Sequence, residues 1–203
     1  MVAQKSGKKA KKDTLREWLK SIIIALVLAL LTRATVVQAF RIPTSSMEET
    51  LLVGDFLLVN KFIYGSKIPF TEIRLPRVRA PKRGDIIVFR HPTEGKDFIK
   101  RCIGLPGDTI ELRNDVVYVN GAAQKEPYKT LRGFGGQMSN FGPVVVPEGN
   151  IFMMGDNRHN SYDSRAWGGL DMDYIKGKAM VMYFSWNKQT HLPRWTRIGK
   201  LIH

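Results

Sequence analysis

Residues 84–121 read GDIIVFRHPTEGKDFIKRCIGLPGDTIELRNDVVYVNG. Short runs rich in Val, Ile, Phe and Tyr are separated here by Gly, Pro, Asn and Asp, the punctuation of an antiparallel β domain. Asn114-Asp115 and Asn120-Gly121 have the chemistry of tight hairpin turns, because these residues tolerate a left-handed backbone. Strands are predicted near Phe56–Asn60, Asp85–Arg90, Asp97–Ile103, Thr109–Arg113, Val116–Val119, Val144–Val146, Ile151–Met154 and Gly177–Ser185. No amphipathic helix alternates with them, so a β sandwich or partly open barrel is expected rather than a parallel sheet. The stretch Gly121–Gly142, rich in Gly, Lys and polar residues, reads as an excursion within a smaller inserted β subdomain spanning about 109–150.

Upstream the pattern changes. The first twenty residues carry seven Lys and Arg against two acids, a basic tail of +5 that leaves +9 of the chain's +14 to the remainder. Residues 21–39, SIIIALVLALLTRATVVQA, follow with Arg33 as their single charge. A helix of that length rises about 28 Å, close to the ~30 Å hydrocarbon thickness of a bilayer. One N-terminal transmembrane helix is expected, its basic flank in the cytoplasm by the positive-inside rule and residues 40–203 on the far side. Two other readings compete: a cleaved secretory signal ending at Val37-Gln38-Ala39, and a buried core helix. A basic exported surface fits anionic lipid headgroups, and an exported domain is a poor candidate for nucleic acid.

The single Cys102 forms no internal disulfide, and its strand-like setting makes it a small buried hydrophobe. No metal-ligand spacing, dinucleotide fingerprint or phosphate loop occurs, so neither metal nor cofactor is expected.

Three segments can carry chemistry. Pro43-Thr44-Ser45-Ser46-Met47 places three hydroxyls after a proline, a pattern that equally caps a short helix starting at Met47. In Asp97-Phe98-Ile99-Lys100-Arg101-Cys102, strand alternation sets Lys100 on one face with Phe98 and Cys102. The run also fits an ordinary strand lysine with its head in solvent; held against such neighbours, the amine would instead lose hydration and its pKa would fall toward the range of a general base. The polar block Gly155-Asp156-Asn157-Arg158-His159-Asn160-Ser161-Tyr162-Asp163-Ser164-Arg165 is either a hydrogen-bonded surface loop or part of a site. His159 and Asp163 would also permit a Ser-His-Asp triad with Ser46.

Taken together and in order, Pro43–Met47 with Leu51-Leu52-Val53-Gly54-Asp55, Arg83–Phe89, Ile99-Lys100-Arg101 with Gly104–Asp108, and Gly155–Arg158 through Asp163-Ser164-Arg165 resemble the motif boxes of bacterial type I signal peptidases. That resemblance implies a membrane-bound serine endopeptidase of the Ser-Lys dyad type, removing signal peptides from exported preproteins through an acyl-enzyme. By it, Ser46 is the nucleophile and Lys100 the general base. Thr44 and the Ser46 N–H form the oxyanion hole, and Ser161 orients the Lys100 amine. Asp163 and Arg165 make a supporting ion pair. Ile42, Met47, Leu51 and Ile99 line pockets that accept small residues at the first and third positions before the cut. Thr44 departs from the serine often found at its position but keeps the hydroxyl, and some members cross the membrane twice, where one crossing is expected here. Two other readings remain at this point: a self-cleaving Ser-Lys protease of the SOS-repressor type, and a single-span adaptor whose β domain binds partners.

Overall fold

The computed structural model describes residues 16–26, 29, 36–65, 76–133 and 138–203. Residues 16–26 form helix α1. The strands are β1 (Val37–Arg41), β2 (Asp55–Asn60), β3 (Ile86–Arg90), β4 (Asp97–Gly104), β5 (Thr109–Arg113), β6 (Val116–Val119), β7 (Ala122–Ala123), β8 (Phe141–Val145), β9 (Asn150–Met154), β10 (Leu170–Asp171), β11 (Ile175–Asn187) and β12 (Leu192–Pro193), with a one-turn helix α2 at Ser164–Trp167. Among the described residues, no helix is long and apolar enough to cross a membrane. Much of the predicted span, including Arg33, lies outside the described residues. Its last three residues are corrected: Val37–Ala39 begin strand β1, pairing with β2 from Val37 opposite Asn60. A short apolar run has the same composition in either conformation, and here a neighbouring strand takes up its backbone groups.

Among the described residues every pairing between the named strands is antiparallel. The main sheet runs β1-β2-β11-β3-β4-β9-β10, with β12 added beside β11, and the second sheet runs β7-β6-β5-β8. The long β11 pairs with β2, β3 and β12 in turn, and register shifts between Ala179 and Val181 and between Met182 and Phe184 bend it. The small sheet ends at Val145, and β9 at Asn150 returns the chain to the main sheet. Hairpin chemistry sets the turn between β5 and β6: Asn114 and Asp115 take φ of 49° and 63°, left-handed values that Asn and Asp accept.

Strand alternation sorts side chains cleanly. Ile86 and Val88 enter one core with Ile42, Met47, Leu51, Leu57 and Ile99, while Ile87 and Phe89 enter another with Cys102, Ile151 and Met153. A third core, with Ile103, Ile110, Leu112, Val117, Phe152 and Met154, joins the small sheet to β9. Cys102 is a buried free thiol, and its surroundings push its pKa up to about 12 through burial, so it packs as an inert hydrophobe.

Candidate active site

Ser46 sits in the turn that follows β1. The Glu48 N–H donates to the Ser45 carbonyl and the Leu51 N–H to the Met47 carbonyl, closing a compact turn rather than the short helix that the hydroxyl run allowed. Met47 and Leu51 are fully buried on its inner side, which leaves Ser46 pressed toward β4. Below the turn, Asp55 accepts from the Leu52 N–H at 2.7 Å and pairs with Arg197 at 2.7 Å. Local hydrogen bonds and apolar anchors together fix where the hydroxyl points.

Lys100 lies on β4 opposite Ile87 of β3 and is 4% exposed. Its Nζ donates to the Ser46 Oγ at 2.6 Å across 54 residues of sequence, and it lies 5.5 Å from the centroid of the Phe98 ring. Burial lowers the pKa of Lys100 to about 8, while the charges of Asp163 and Asp156 pull the other way. Near that pH a substantial share of the amine is neutral, and the contact with Ser46 can then run in reverse, with nitrogen accepting the hydroxyl proton.

The polar block after β9 wraps this pair. Asn157 donates its N–H to the Ser46 carbonyl at 3.1 Å and its Nδ2 to the Ser45 carbonyl at 3.3 Å, and Asn160 Nδ2 donates to Ser45 Oγ at 2.7 Å. Gly155 packs so closely that a Cβ built on it would lie 2.3 Å from Ser161 Oγ and 2.5 Å from the Ser46 carbonyl oxygen. Two buried bidentate ion pairs flank the site. Arg165 holds Asp163 through Nε and Nη2, both at 2.9 Å. Arg101 holds Asp156 at 2.8 and 2.7 Å, with Thr50 Oγ1 donating to the same carboxylate at 2.5 Å. The Arg101–Asp156 pair is a site feature that the sequence reading missed. Adjacency to Lys100 in one motif and to Asn157 in another was its only signal.

Each expected residue has a definite position. Thr44 is exposed beside Ser46, on the rim of a cleft of ≈ 320 Å³ lined by Pro43, Thr44, Ser45, Phe98, Ile99 and Tyr162 among others. Ile42 and Ile99 both border a small side hollow next to this cleft. Met47 and Leu51, expected in the pocket lining, stand instead behind it in the core, because the turn that presents Ser46 needs their side chains as inward anchors. Ser161 is buried, yet its Oγ has no hydrogen-bond partner among the described residues, so the expected bond to the Lys100 amine is absent here. The Ser-His-Asp alternative does not assemble: His159 Nε2 meets Asp115 at 3.1 Å, and Asp163 is engaged by Arg165 and by the Gly155 N–H at 3.0 Å. Phe98 and Tyr162 supply the aromatic wall of the cleft. Tyr162, a single aromatic within a polar run, is the signal that could have found it. Among the described residues, no cluster of His, Cys, Asp and Glu could hold a metal ion.

The family model for signal peptidase, peptidase S26, matches residues 15–186. The chain belongs to that family. It is 37% identical to the signal peptidase I of Pseudomonas fluorescens over 93% of this chain and 80% of that protein, and 40% identical to that of Bacillus licheniformis over 88% and 93%. A crystal structure of a signal peptidase I from Enterococcus faecalis, 36% identical, covers 49% of this chain and 97% of its own, with a TM-score of 0.42. Membership in peptidase S26 makes the chain a serine peptidase, a hydrolase. In this peptidase the self-cleaving repressor and the adaptor both lose their ground, since the match runs through the Ser46 turn, β4 and the polar block alike.

Proposed function

We propose that this peptidase removes signal peptides from exported preproteins with Ser46 as nucleophile and Lys100 as general base. The observation that carries the reading is the 2.6 Å contact between the buried, pKa-depressed amine of Lys100 and the Ser46 hydroxyl. In the reaction, neutral Lys100 takes the Ser46 proton as Oγ attacks the scissile carbonyl, and the resulting ammonium returns it to the leaving amine. The acyl-enzyme is then opened by water, with the same amine as base. Thr44 Oγ1 and the Ser46 N–H are the donors aimed at the oxyanion, where charge develops. Ser161, whose hydroxyl has no partner among the described residues and which adjoins Gly155 as Ser46 does, is the group that steadies the amine once it is charged. The Asp163–Arg165 pair serves as support. The cleft walled by Pro43, Phe98, Ile99 and Tyr162 receives the residues before the cut, with Ile42 at its side hollow, and its modest size favours small side chains.

The enzyme acts at the outer face of the bacterial cell membrane, held there by a single N-terminal anchor. Supporting this, α1 exposes the apolar side chains of Trp18, Leu19, Ile22, Ile23, Ile24 and Leu26. An anchor ending so close to Ser46 in sequence shares its membrane with the substrate's own apolar segment, which raises the local substrate concentration. The test is a proteoliposome assay with one preprotein. Wild type should release the mature protein, whereas Lys100→Met and Ser46→Ala should not, and processing at the normal rate by either variant overturns the assignment.

A further inference from the structure

The inserted subdomain sends one segment back to the active site, and that segment makes contacts no catalytic role accounts for. Glu126 is the centre of it. Its carboxylate takes both terminal nitrogens of Arg158, Nη1 at 2.9 Å and Nη2 closer still, and accepts from Tyr128 Oη at 3.2 Å. The pair is sealed from water, with side chains 4% and 1% exposed. Arg158 also donates Nε to the Gly155 carbonyl at 3.1 Å, so the same guanidinium grips the insert at one end and the polar block at the other.

Backbone bonds run alongside. The Thr130 N–H donates to the Asp156 carbonyl and the Arg158 N–H to the Thr130 carbonyl, both at 2.9 Å, a parallel bridge that brackets Asn157. Asn157 is the residue that donates to the carbonyls of Ser45 and Ser46. Meanwhile the Arg101 guanidinium lies 3.7 Å from the centroid of the Tyr128 ring, and Arg101 follows Lys100 on β4. A further residue of the segment, Arg132, pairs with Glu49 of the Ser46 turn at 2.6 Å, and Glu49 carries a left-handed φ of 75°. Residues 126–132 therefore touch Arg101, which follows Lys100, and Glu49, three residues beyond Ser46, and they bracket the Asn157 that holds the Ser46 turn.

We propose that residues 126–132 act as a positioning strap, with Glu126 its principal residue, holding the Ser46 turn and β4 at the separation the reaction requires. The proposal rests on the Ser46–Lys100 reading of the site. Glu126 touches no reacting atom; it acts through Arg158 and Asn157. The physical need is clear from the geometry: Ser46 and Lys100 come from different elements joined by no covalent constraint, and a displacement of about 1 Å at such a pair costs on the order of 100-fold in rate. A buried charge pair that bridges two loops resists that displacement because separating its members leaves either one desolvated and unpaired.

The test uses the full chain in detergent with a synthetic peptide bearing Ala at the first and third positions before the cut. Glu126→Gln should lower kcat about 10- to 100-fold with KM nearly unchanged, at a temperature where its melting curve shows it folded. Glu126→Asp, which keeps the charge, should recover part of the loss. Leu112→Ala in the core of the small sheet serves as the stability control: its Tm should fall while kcat holds at temperatures below its transition. Should Glu126→Gln fail to fold, Tyr128→Leu carries the same expectation, since it removes the ring beneath Arg101. Wild-type kcat in the folded Glu126 or Tyr128 variant overturns the strap, as does a Leu112→Ala enzyme whose kcat falls as far as theirs. Lys100→Ala run in parallel separates the two claims: if it is inactive while Glu126→Gln is fully active, the strap fails and the dyad stands, and if it is active both fall.

Discussion

The two sheets are made by the same antiparallel rules and differ in what they bury. The small sheet β5–β8 encloses Ile110, Leu112, Val117 and Val119, and its own ion pair, Arg113 with Glu111, lies out in solvent. The main sheet and the polar block against it bury Lys100, Arg101, Asp156, Arg158, Asp163 and Arg165. Burying charge is unfavourable unless each ion is matched, so a fold selected for stability alone would look like the small sheet throughout. The charged interior surrounds the Ser46–Lys100 contact. Its carboxylates are each held by an arginine, and Lys100 alone of the group lacks a carboxylate in hydrogen-bond contact among the described residues, having a hydroxyl instead.

The sharpest way to break this contrast is Lys100→Met, which should lower kcat/KM by at least about 10³-fold in a peptide cleavage assay. Wild-type kcat/KM should itself rise as pH is raised through about 8, since only the neutral amine accepts the proton. Asp163→Ala should come next, destabilising the folded chain by about 3–5 kcal/mol in a denaturant titration, because Arg165 is left buried without its partner. Leu112→Ala in the small sheet should cost about 2–5 kcal/mol in the same titration and leave cleavage intact, which separates packing from chemistry. Lys100→Met should also act on stability, in the opposite direction. A lysine whose folded-state pKa is about 8 against an ordinary 10.5 opposes folding fully below pH 8, and the opposition relaxes as pH rises between those values. The variant should thus be more stable than wild type by about 1–3 kcal/mol at pH 7, with the difference shrinking toward pH 10. The smallest effect belongs to Glu111→Ala, whose solvent-exposed pair with Arg113 should leave Tm unchanged.

What could be read beforehand follows how local the information is. The β5–β6 hairpin was legible because its turn residues specify a left-handed backbone within a few positions of the strands. Lys100 was legible through its motif rather than through strand alternation, which sets Phe98 and Cys102 on its face but fits a solvent-facing lysine as well. Val37–Ala39 were misread as the end of a helix because an apolar run carries no mark of which partner will satisfy its backbone. Met47 and Leu51 were recognised as apolar, yet composition does not say whether a residue faces a cleft or anchors the turn beneath it. Glu126 and Arg158, 32 residues apart in segments without periodicity, left no trace before the fold brought them together.

Gly155 has a consequence for how a peptide reaches the serine. With only hydrogen on its Cα, the strand end nests against both Ser161 and the backbone of Ser46, and no gap remains there for a guest chain to thread. Protein fills the space beside the Ser46 carbonyl, where one methyl group would not fit, while Ser46 also borders the cleft walled by Phe98 and Tyr162.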